Sequence, residues 1–129
     1  MIKRIVLVDD DNSTNYLNKF VIERSSLVNE VITFVSPLEA LDYFNNRPDE
    51  EKGSLVLLDI NMPIMNGWEF LKQYAIQNKK IEVDKVVMLT SSIDPGDQLL
   101  AKENEFVSDM KSKPLTLRMV KELVNTYLK

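Results

Sequence analysis

Five short apolar runs alternate with segments of helical character along the chain, and this alternation limits the possible folds more than any other feature. The runs are rich in Val, Ile and Leu and show little polar alternation, which is typical of strands buried on both faces of a sheet. They are Ile5–Val8, Val31–Val35, Leu55–Leu58, Val86–Leu89 and the weaker Phe106–Met110. Strands that are separated by helices predict a doubly wound α/β domain, (βα)5, with one parallel sheet covered on both sides.

Helix-start signals support the segments between the runs. Each segment opens with a residue whose side chain can cap a helix, and two of these residues precede a proline at the first helical position. The predicted caps are Asn12 or Ser13, Ser36, Asn66, Asp94 and Thr116. We expect the first helix to carry the apolar residues Tyr16, Leu17, Phe20 and Val21, and the last helix to carry Leu117, Val120, Val124 and Tyr127 on one side.

Composition narrows the chemistry open to this chain. Its 129 residues are enough for about one core, so we expect a single domain over residues 1–129. The sequence has neither histidine nor cysteine, which excludes Ser-His and Cys-His nucleophile pairs and leaves oxygen-ligated ions as the metals to expect. The net charge of −4 argues against direct nucleic-acid binding. Without a signal-peptide pattern or a membrane-spanning run, we expect a cytoplasmic protein that does not bind membranes.

Polar residues stand at the ends of four of the five predicted strands. Asp9 and Asp10 end the first strand, Asp59 ends the third, Thr90 ends the fourth, and Lys113 follows the fifth. In a sheet of order 2-1-3-4-5 these four strands are neighbours, and their carboxyl ends form the edge where open α/β sheets build their sites. Three carboxylates that meet there repel one another, and a divalent cation would offset that repulsion.

The chain resembles the receiver domain of two-component response regulators over nearly its whole length. The segments that carry this resemblance are "VLVDDD", "LLDINMPIMNG", "VVMLTSS" and "KSKPL", in the order and at the spacings of that family. The resemblance implies the flavodoxin-like form of the doubly wound fold. It also implies a signalling phosphoswitch and not an enzyme, with at most self-catalysed phosphorylation and dephosphorylation.

The resemblance also implies a role for each residue of the predicted site. Asp59 would accept the phosphoryl group from a histidine kinase or a phosphotransfer protein, with Mg²⁺ as cofactor. The implied metal ligands are Asp10, Asp59, the backbone carbonyl of Asn61 and, through a water molecule, Asp9. Thr90 would hydrogen-bond the phosphoryl group and Lys113 would pair with its charge. The Lys113-Pro114 peptide bond is expected to be cis and to aim the lysine at the acidic cluster.

One position departs from the family pattern. Met110 stands where the family usually has an aromatic residue that rotates inward as the threonine closes on the phosphoryl group. The predicted switch residues are therefore Thr90 and Met110, with coupling carried by backbone movement, because a flexible thioether specifies two rotamers poorly. We expect the face formed by helix 4, strand 5 and helix 5 to bind the downstream partner.

Two other interpretations are open to the same residues. Asp9-x-Asp11-x-Ser13 matches the opening motif of haloacid-dehalogenase-type phosphatases, with Asp9 as nucleophile, but the later acidic pair of that family is missing and Asp59 would have no task. A flavodoxin-like flavin carrier would need a phosphate loop where this chain has three acids. Asp11 alone is better explained as a helix cap. A complete chain, which the opening Met1 weakly favours, would be a stand-alone receiver, and an excised domain would belong to a transcription factor or a sensor-kinase fusion; the sequence leaves both open.

Overall fold

The computed structural model describes residues 2–78 and 83–128. Within them, strands and α-helices alternate along the chain. The strands are β1 (Arg4–Val8), β2 (Glu30–Phe34), β3 (Leu55–Asp59), β4 (Lys85–Thr90) and β5 (Val107–Ser112). The helices are α1 (Asn12–Ser25), α2 (Pro37–Asn46), α3 (Gly67–Gln77), α4 (Pro95–Glu103) and α5 (Leu117–Tyr127), and a 3-10 turn covers Asp49–Glu51. None of the helices in the described ranges is long and apolar enough to cross a membrane.

The sheet is parallel throughout and has the order β2-β1-β3-β4-β5, which confirms the predicted topology. Val8 pairs with Leu58, so the residues that follow β1 lie beside Asp59 at the end of β3. Asp59 in turn pairs with Leu89, and Thr90 pairs with Ser112 at the end of β5. This register brings the polar strand ends to one edge of the sheet.

The core has two layers, one on each face of the sheet, because successive strand residues point to opposite faces. Every residue of β1 and β3 is buried, as their uninterrupted apolar runs predict. One layer joins Val6, Val8, Val56 and Leu58 to Phe44, Phe70 and Tyr74 from α2 and α3. The other joins Ile5, Leu7, Leu55 and Leu57 to Ile22, Val120, Leu123 and Val124 from α1 and α5.

Most of the predicted element starts are confirmed, with small shifts at the edges. Ser36, Asn66, Asp94 and Thr116 each cap the following helix through the side chain. The prediction of Asn12 or Ser13 as cap of α1 was wrong, because Asp11 accepts the hydrogen bond from the backbone N–H of Ser13. Strand β5 was expected at Phe106–Met110 and instead extends to Ser112, because it follows β4 to the end of that strand.

Helix α1 does not pack through most of its large apolar residues. Tyr16, Leu17 and Phe20 are 71%, 59% and 49% exposed. The buried face instead contains Ile22 and two asparagines. One of these, Asn15, donates from its side-chain amide to the carbonyl oxygens at the ends of β1 and β2. Polar pairing therefore orients α1, and its apolar residues remain available at the surface.

A buried ionic network closes the opposite edge of the sheet. The carboxylate of Asp84, directly before β4, accepts two hydrogen bonds from the Arg47 guanidinium, and neither side chain is exposed. It also accepts hydrogen bonds from the Tyr74 hydroxyl and from the backbone N–H groups of Gly53 and Ser54. These contacts join α2, α3 and the segments that precede β3 and β4. The opposite charges of Asp84 and Arg47 are buried and paired with each other, the condition under which buried ions are tolerated.

We expect Asp84→Asn to destabilise the fold by about 3–5 kcal/mol, because it leaves the buried guanidinium of Arg47 without its counter-charge. Urea unfolding followed by circular dichroism measures this change. Asp49→Asn is the matched control, since it removes the same charge from an exposed pair with Lys52 and should leave the midpoint nearly unchanged. Equal midpoints for the two variants would contradict the importance given to the network.

Candidate functional site

Three carboxylates meet at the carboxyl edge of the sheet. Asp9 and Asp59 are 4% and 5% exposed, whereas Asp10 is exposed. One carboxylate oxygen from each of the three lies within 4.8 Å of the others. The pairing of β1 with β3 brings Asp9 and Asp10 beside Asp59, so the cluster follows from the strand order. The oxygen ligands, the small separation and the excess of negative charge fit a hard divalent cation such as Mg²⁺.

A single ammonium group enters this cluster within the described residues. The Lys113 Nζ lies 2.6 Å from Asp9 Oδ2 and 3.2 Å from Asp59 Oδ1. The Lys113-Pro114 bond is cis, as predicted, and the backbone N–H of Lys113 donates to the Thr90 carbonyl at 2.7 Å. The cluster thus contains three carboxylates, of which the ammonium contacts two, and the site retains an excess of negative charge.

The pKa values of Asp59 and Lys113 are both raised in this site. Burial, followed by the negative charge of Asp9, raises the pKa of Asp59 from 3.8 to about 6, although the ammonium of Lys113 opposes the shift. For Lys113, burial disfavours the charged form, but the hydrogen bond and the charge of Asp9 outweigh it and raise its pKa. Asp59 is therefore a buried carboxylate that is ionised at neutral pH but poorly compensated.

Asp9 is held in place from several sides. Its Oδ2 binds Lys113, and its Oδ1 accepts the backbone N–H of Asp11 at 2.9 Å. The Asn15 amide donates to its backbone carbonyl at 2.9 Å. Sequence reasoning missed Asn15, since a lone asparagine within a helix carries no signal of a buried partner. Asp11 caps α1, in agreement with its interpretation from the sequence as a helix cap.

The Thr90 hydroxyl is buried and is engaged with its own loop. It donates to the Ser92 carbonyl at 3.2 Å and accepts the Ser92 backbone N–H at 3.3 Å. Met110 is half-buried in β5, pairs in register with Met88 and packs against the α2–α3 side of the core. Asn61 is exposed in the loop, two residues beyond Asp59. Among the predicted site residues, Lys113 therefore contacts the carboxylates directly. The Thr90 hydroxyl instead forms its hydrogen bonds with Ser92.

Close packing explains the glycine that opens α3. A Cβ atom on Gly67 would lie 2.6 Å from the Asp59 carbonyl oxygen and 2.9 Å from the methyl group of Met88. The Gly67 N–H donates to the Ile60 carbonyl at 2.8 Å, which draws the start of α3 onto the end of β3. Glycine is needed at this position because there is no space for a side chain.

Comparison with known proteins decides the family. The family model described as the response regulator receiver domain matches residues 5–125. The chain belongs to the response regulator receiver family. The phosphatase and flavin-carrier alternatives receive no support from this match.

Several curated relatives of this chain carry the names of response regulators or transcriptional regulators. The alkaline phosphatase synthesis transcriptional regulatory protein PhoP of Bacillus subtilis is 32% identical over 129 residues, which cover 100% of this chain and 50% of that protein. Response regulator Rcp1 of Synechocystis is 30% identical over 104 residues, 78% of this chain and 70% of that protein. The chain spans about half the length of the first two curated relatives that it matches.

Solved structures agree with the fold. A response regulator receiver protein from Dyadobacter fermentans superposes with a TM-score of 0.87 over 98% of both chains, at 24% identity, a likeness that concerns the fold alone. A two-component response regulator from Cytophaga hutchinsonii superposes with a TM-score of 0.80 at 32% identity, covering 98% of this chain and 97% of that one. The flavodoxin-like (βα)5 architecture is therefore confirmed.

The raised pKa of Asp59 predicts a specific dependence of stability on pH. Between about pH 4 and 6 the folded chain binds more protons than the unfolded chain, so this residue lowers stability as pH rises through that window. We expect metal-free Asp59→Asn to be more stable than the wild type by about 1–3 kcal/mol at pH 7 and no more stable near pH 3.5. Urea unfolding at both pH values in the presence of a chelator measures the difference. If Asp59→Asn were less stable than the wild type at pH 7, the conclusion that the negative charge of Asp59 destabilises the metal-free fold would be wrong.

Proposed function

We propose that this chain is a single receiver domain in which Asp59 accepts a phosphoryl group from a histidine kinase or a phosphotransfer protein, with Mg²⁺ bound. The observation that supports this most strongly is the placement of Asp59, a buried carboxylate within reach of the Lys113 ammonium and beside two further acids. Without histidine or cysteine in the chain, a carboxylate is the nucleophile that the site offers.

The carboxylates divide into metal-binding and orienting roles. The exposed Asp10 and the Asp59 side chain would hold Mg²⁺ together with the backbone carbonyl of Asn61. Both oxygens of Asp9 already accept hydrogen bonds, which supports an indirect role through a bound water. When bound, the ion neutralises part of the charge on the carboxylates and on the incoming phosphoryl group.

Phosphoryl transfer would use the ionised form of Asp59. One carboxylate oxygen forms a bond to phosphorus while the bond from phosphorus to the donor breaks, and the donor departs with that electron pair. Lys113 then exchanges its contact with Asp59 for one with a phosphoryl oxygen. Because the pKa of Asp59 is about 6, the nucleophile is mostly ionised above that pH.

The switch would follow from the Thr90 hydroxyl. To donate to a phosphoryl oxygen, this hydroxyl must give up its donation to the Ser92 carbonyl, so the loop at 91–94 loses one of its two hydrogen bonds to the Thr90 side chain. A phosphoryl group thus favours one of two loop conformations. Met110 would contribute through backbone movement of β5. The function is therefore a signalling switch and not turnover of an external substrate.

The relatives support two kinds of partner, one that donates the phosphoryl group and one that responds to it. Response regulators imply a phosphodonor and a downstream effector, and we assign the effector to the face of α4, β5 and α5. Large apolar side chains are exposed on the two helices of this face: Leu99 and Leu100 of α4 and Leu117 of α5. Edge strand β5 is only half-buried, so movement of the loop after β4 changes a surface that a partner can contact.

Labelling with a small acyl phosphate tests the proposed function. We expect one phosphoryl group per chain in the presence of Mg²⁺ and none with a chelator, and the adduct should be cleaved by hydroxylamine, as an acyl phosphate is. Asp59→Asn should abolish the modification, and Asp10→Asn should weaken it through loss of a metal ligand. Intact-mass spectrometry measures each outcome.

Asp9→Asn distinguishes the receiver from the phosphatase alternative. A receiver keeps its nucleophile in this variant, whereas a haloacid-dehalogenase-type enzyme loses it. Labelling that survives in Asp59→Asn and disappears in Asp9→Asn would overturn the proposed function.

A further inference from the structure

Helix α4 is the least anchored of the five helices. Each of the other helices contributes buried side chains to the core, whereas no residue of α4 is buried. Its large apolar residues, Leu99 and Leu100, are exposed. A helix with few buried contacts opens or shifts at low cost in free energy, so a single polar contact has a large share in setting its position.

One side-chain hydrogen bond links α4 to another helix within the described ranges. The indole N–H of Trp68, the second residue of α3, donates to Asp97 Oδ1 at 3.0 Å. Both side chains are half-buried, and Asp97 is the least exposed residue of the first turns of α4. An indole donor and a carboxylate acceptor form a charge-assisted hydrogen bond, which is stronger than a neutral one.

This hydrogen bond lies where the two site loops end. Helix α3 begins directly after the loop that follows Asp59, and α4 begins directly after the loop that follows Thr90. Asp94, the cap of α4, accepts the backbone N–H of Asp97 at 2.8 Å. A displacement of the loop at 91–94 is therefore transmitted through the cap to the residue that Trp68 holds.

We propose that the hydrogen bond between Trp68 and Asp97 is a latch that holds α4 in its unphosphorylated position. The inference rests on the proposed function, since the event that opens the latch is the movement of Thr90 toward a phosphoryl group on Asp59. When the Thr90 hydroxyl no longer donates to the Ser92 carbonyl, the loop at 91–94 moves and displaces Asp94, the cap of α4. Asp97 then moves away from the indole of Trp68. The hydrogen bond is either made or broken, so it provides the two discrete states that the flexible Met110 specifies poorly.

The latch predicts an effect on α4 before any phosphorylation. We expect Trp68→Phe, which keeps an aromatic ring but removes the donor, to speed hydrogen exchange of the α4 amides about three- to tenfold in the unphosphorylated chain. Asp97→Ala, which removes the acceptor, should do the same. The double variant should exchange no faster than Asp97→Ala alone, because Trp68→Phe removes an interaction that Asp97→Ala has already removed. Glu103→Ala, at an exposed position on the same helix, is the control and should leave the other α4 amides unchanged.

A second measurement separates a latch from a residue that merely stabilises the fold. A contact that exists only in the unphosphorylated state stabilises that state alone. By linkage, a variant that loses the contact shifts the equilibrium toward the phosphorylated conformation by the factor by which the unphosphorylated state is destabilised. Beryllium fluoride with Mg²⁺ present serves as a mimic of the phosphoryl group. We expect both single variants to be half-saturated at a beryllium fluoride concentration about three- to tenfold lower than the wild type requires. A merely structural role would lower the melting temperature without this gain.

The outcomes distinguish the latch from the proposed function. If wild-type chain accepts neither acyl phosphate nor the mimic, the proposed function fails, while exchange in the unphosphorylated chain still tests whether the latch restrains α4. If wild-type chain is labelled but the variants exchange like the wild type, or their effects add in the double variant, the latch is wrong. Faster exchange without tighter binding of the mimic would also overturn it, since the contact would then persist in both states.

Discussion

The meeting of three carboxylates, only two of which contact the Lys113 ammonium, is the constraint on which the rest of the site depends. It follows from the sheet order, because β1 and β3 are neighbours and their carboxyl ends carry Asp9, Asp10 and Asp59. Burial prevents water from screening the repulsion, and the pKa of Asp59 rises to about 6 in response. The folded chain therefore holds a buried, poorly compensated anion whose charge a divalent cation would offset.

Two clusters of charged groups lie at opposite edges of the sheet, and only one of them has its charges balanced. At the amino edge, Asp84 has its charge paired with Arg47 and its oxygens hydrogen-bonded, so this edge ties α2, α3 and two strands together. At the carboxyl edge the charges are unbalanced, and the adjoining α4 has no buried residue. Under the proposed function, this division would let the carboxyl edge change its contacts while the remaining core stays packed.

The sequence predicted what depends on local pattern and strand order, and it missed what depends on particular tertiary contacts. Uninterrupted apolar strands, side-chain caps and the order 2-1-3-4-5 could be predicted, and with them the meeting of Asp59 and Lys113. The packing face of α1 could not, because Asn15 is buried by pairing with strand-end carbonyls and not by hydrophobicity. Nor could the hydrogen bond of Trp68 to Asp97, since its partners are 29 residues apart and neither belongs to a motif.

Carboxyl-carbon NMR during a magnesium titration tests the central claim most directly, because it observes each aspartate separately. The charge imbalance predicts that Mg²⁺ perturbs the Asp10 and Asp59 carboxyl signals with one common affinity and lowers the pKa of Asp59 from about 6 toward its ordinary range. The signals of Asp84, whose charge is already paired, and of the exposed Asp49 should remain unchanged. Equal weak shifts across exposed acids, with the Asp59 pKa unaltered, would contradict a cation site built around this carboxylate.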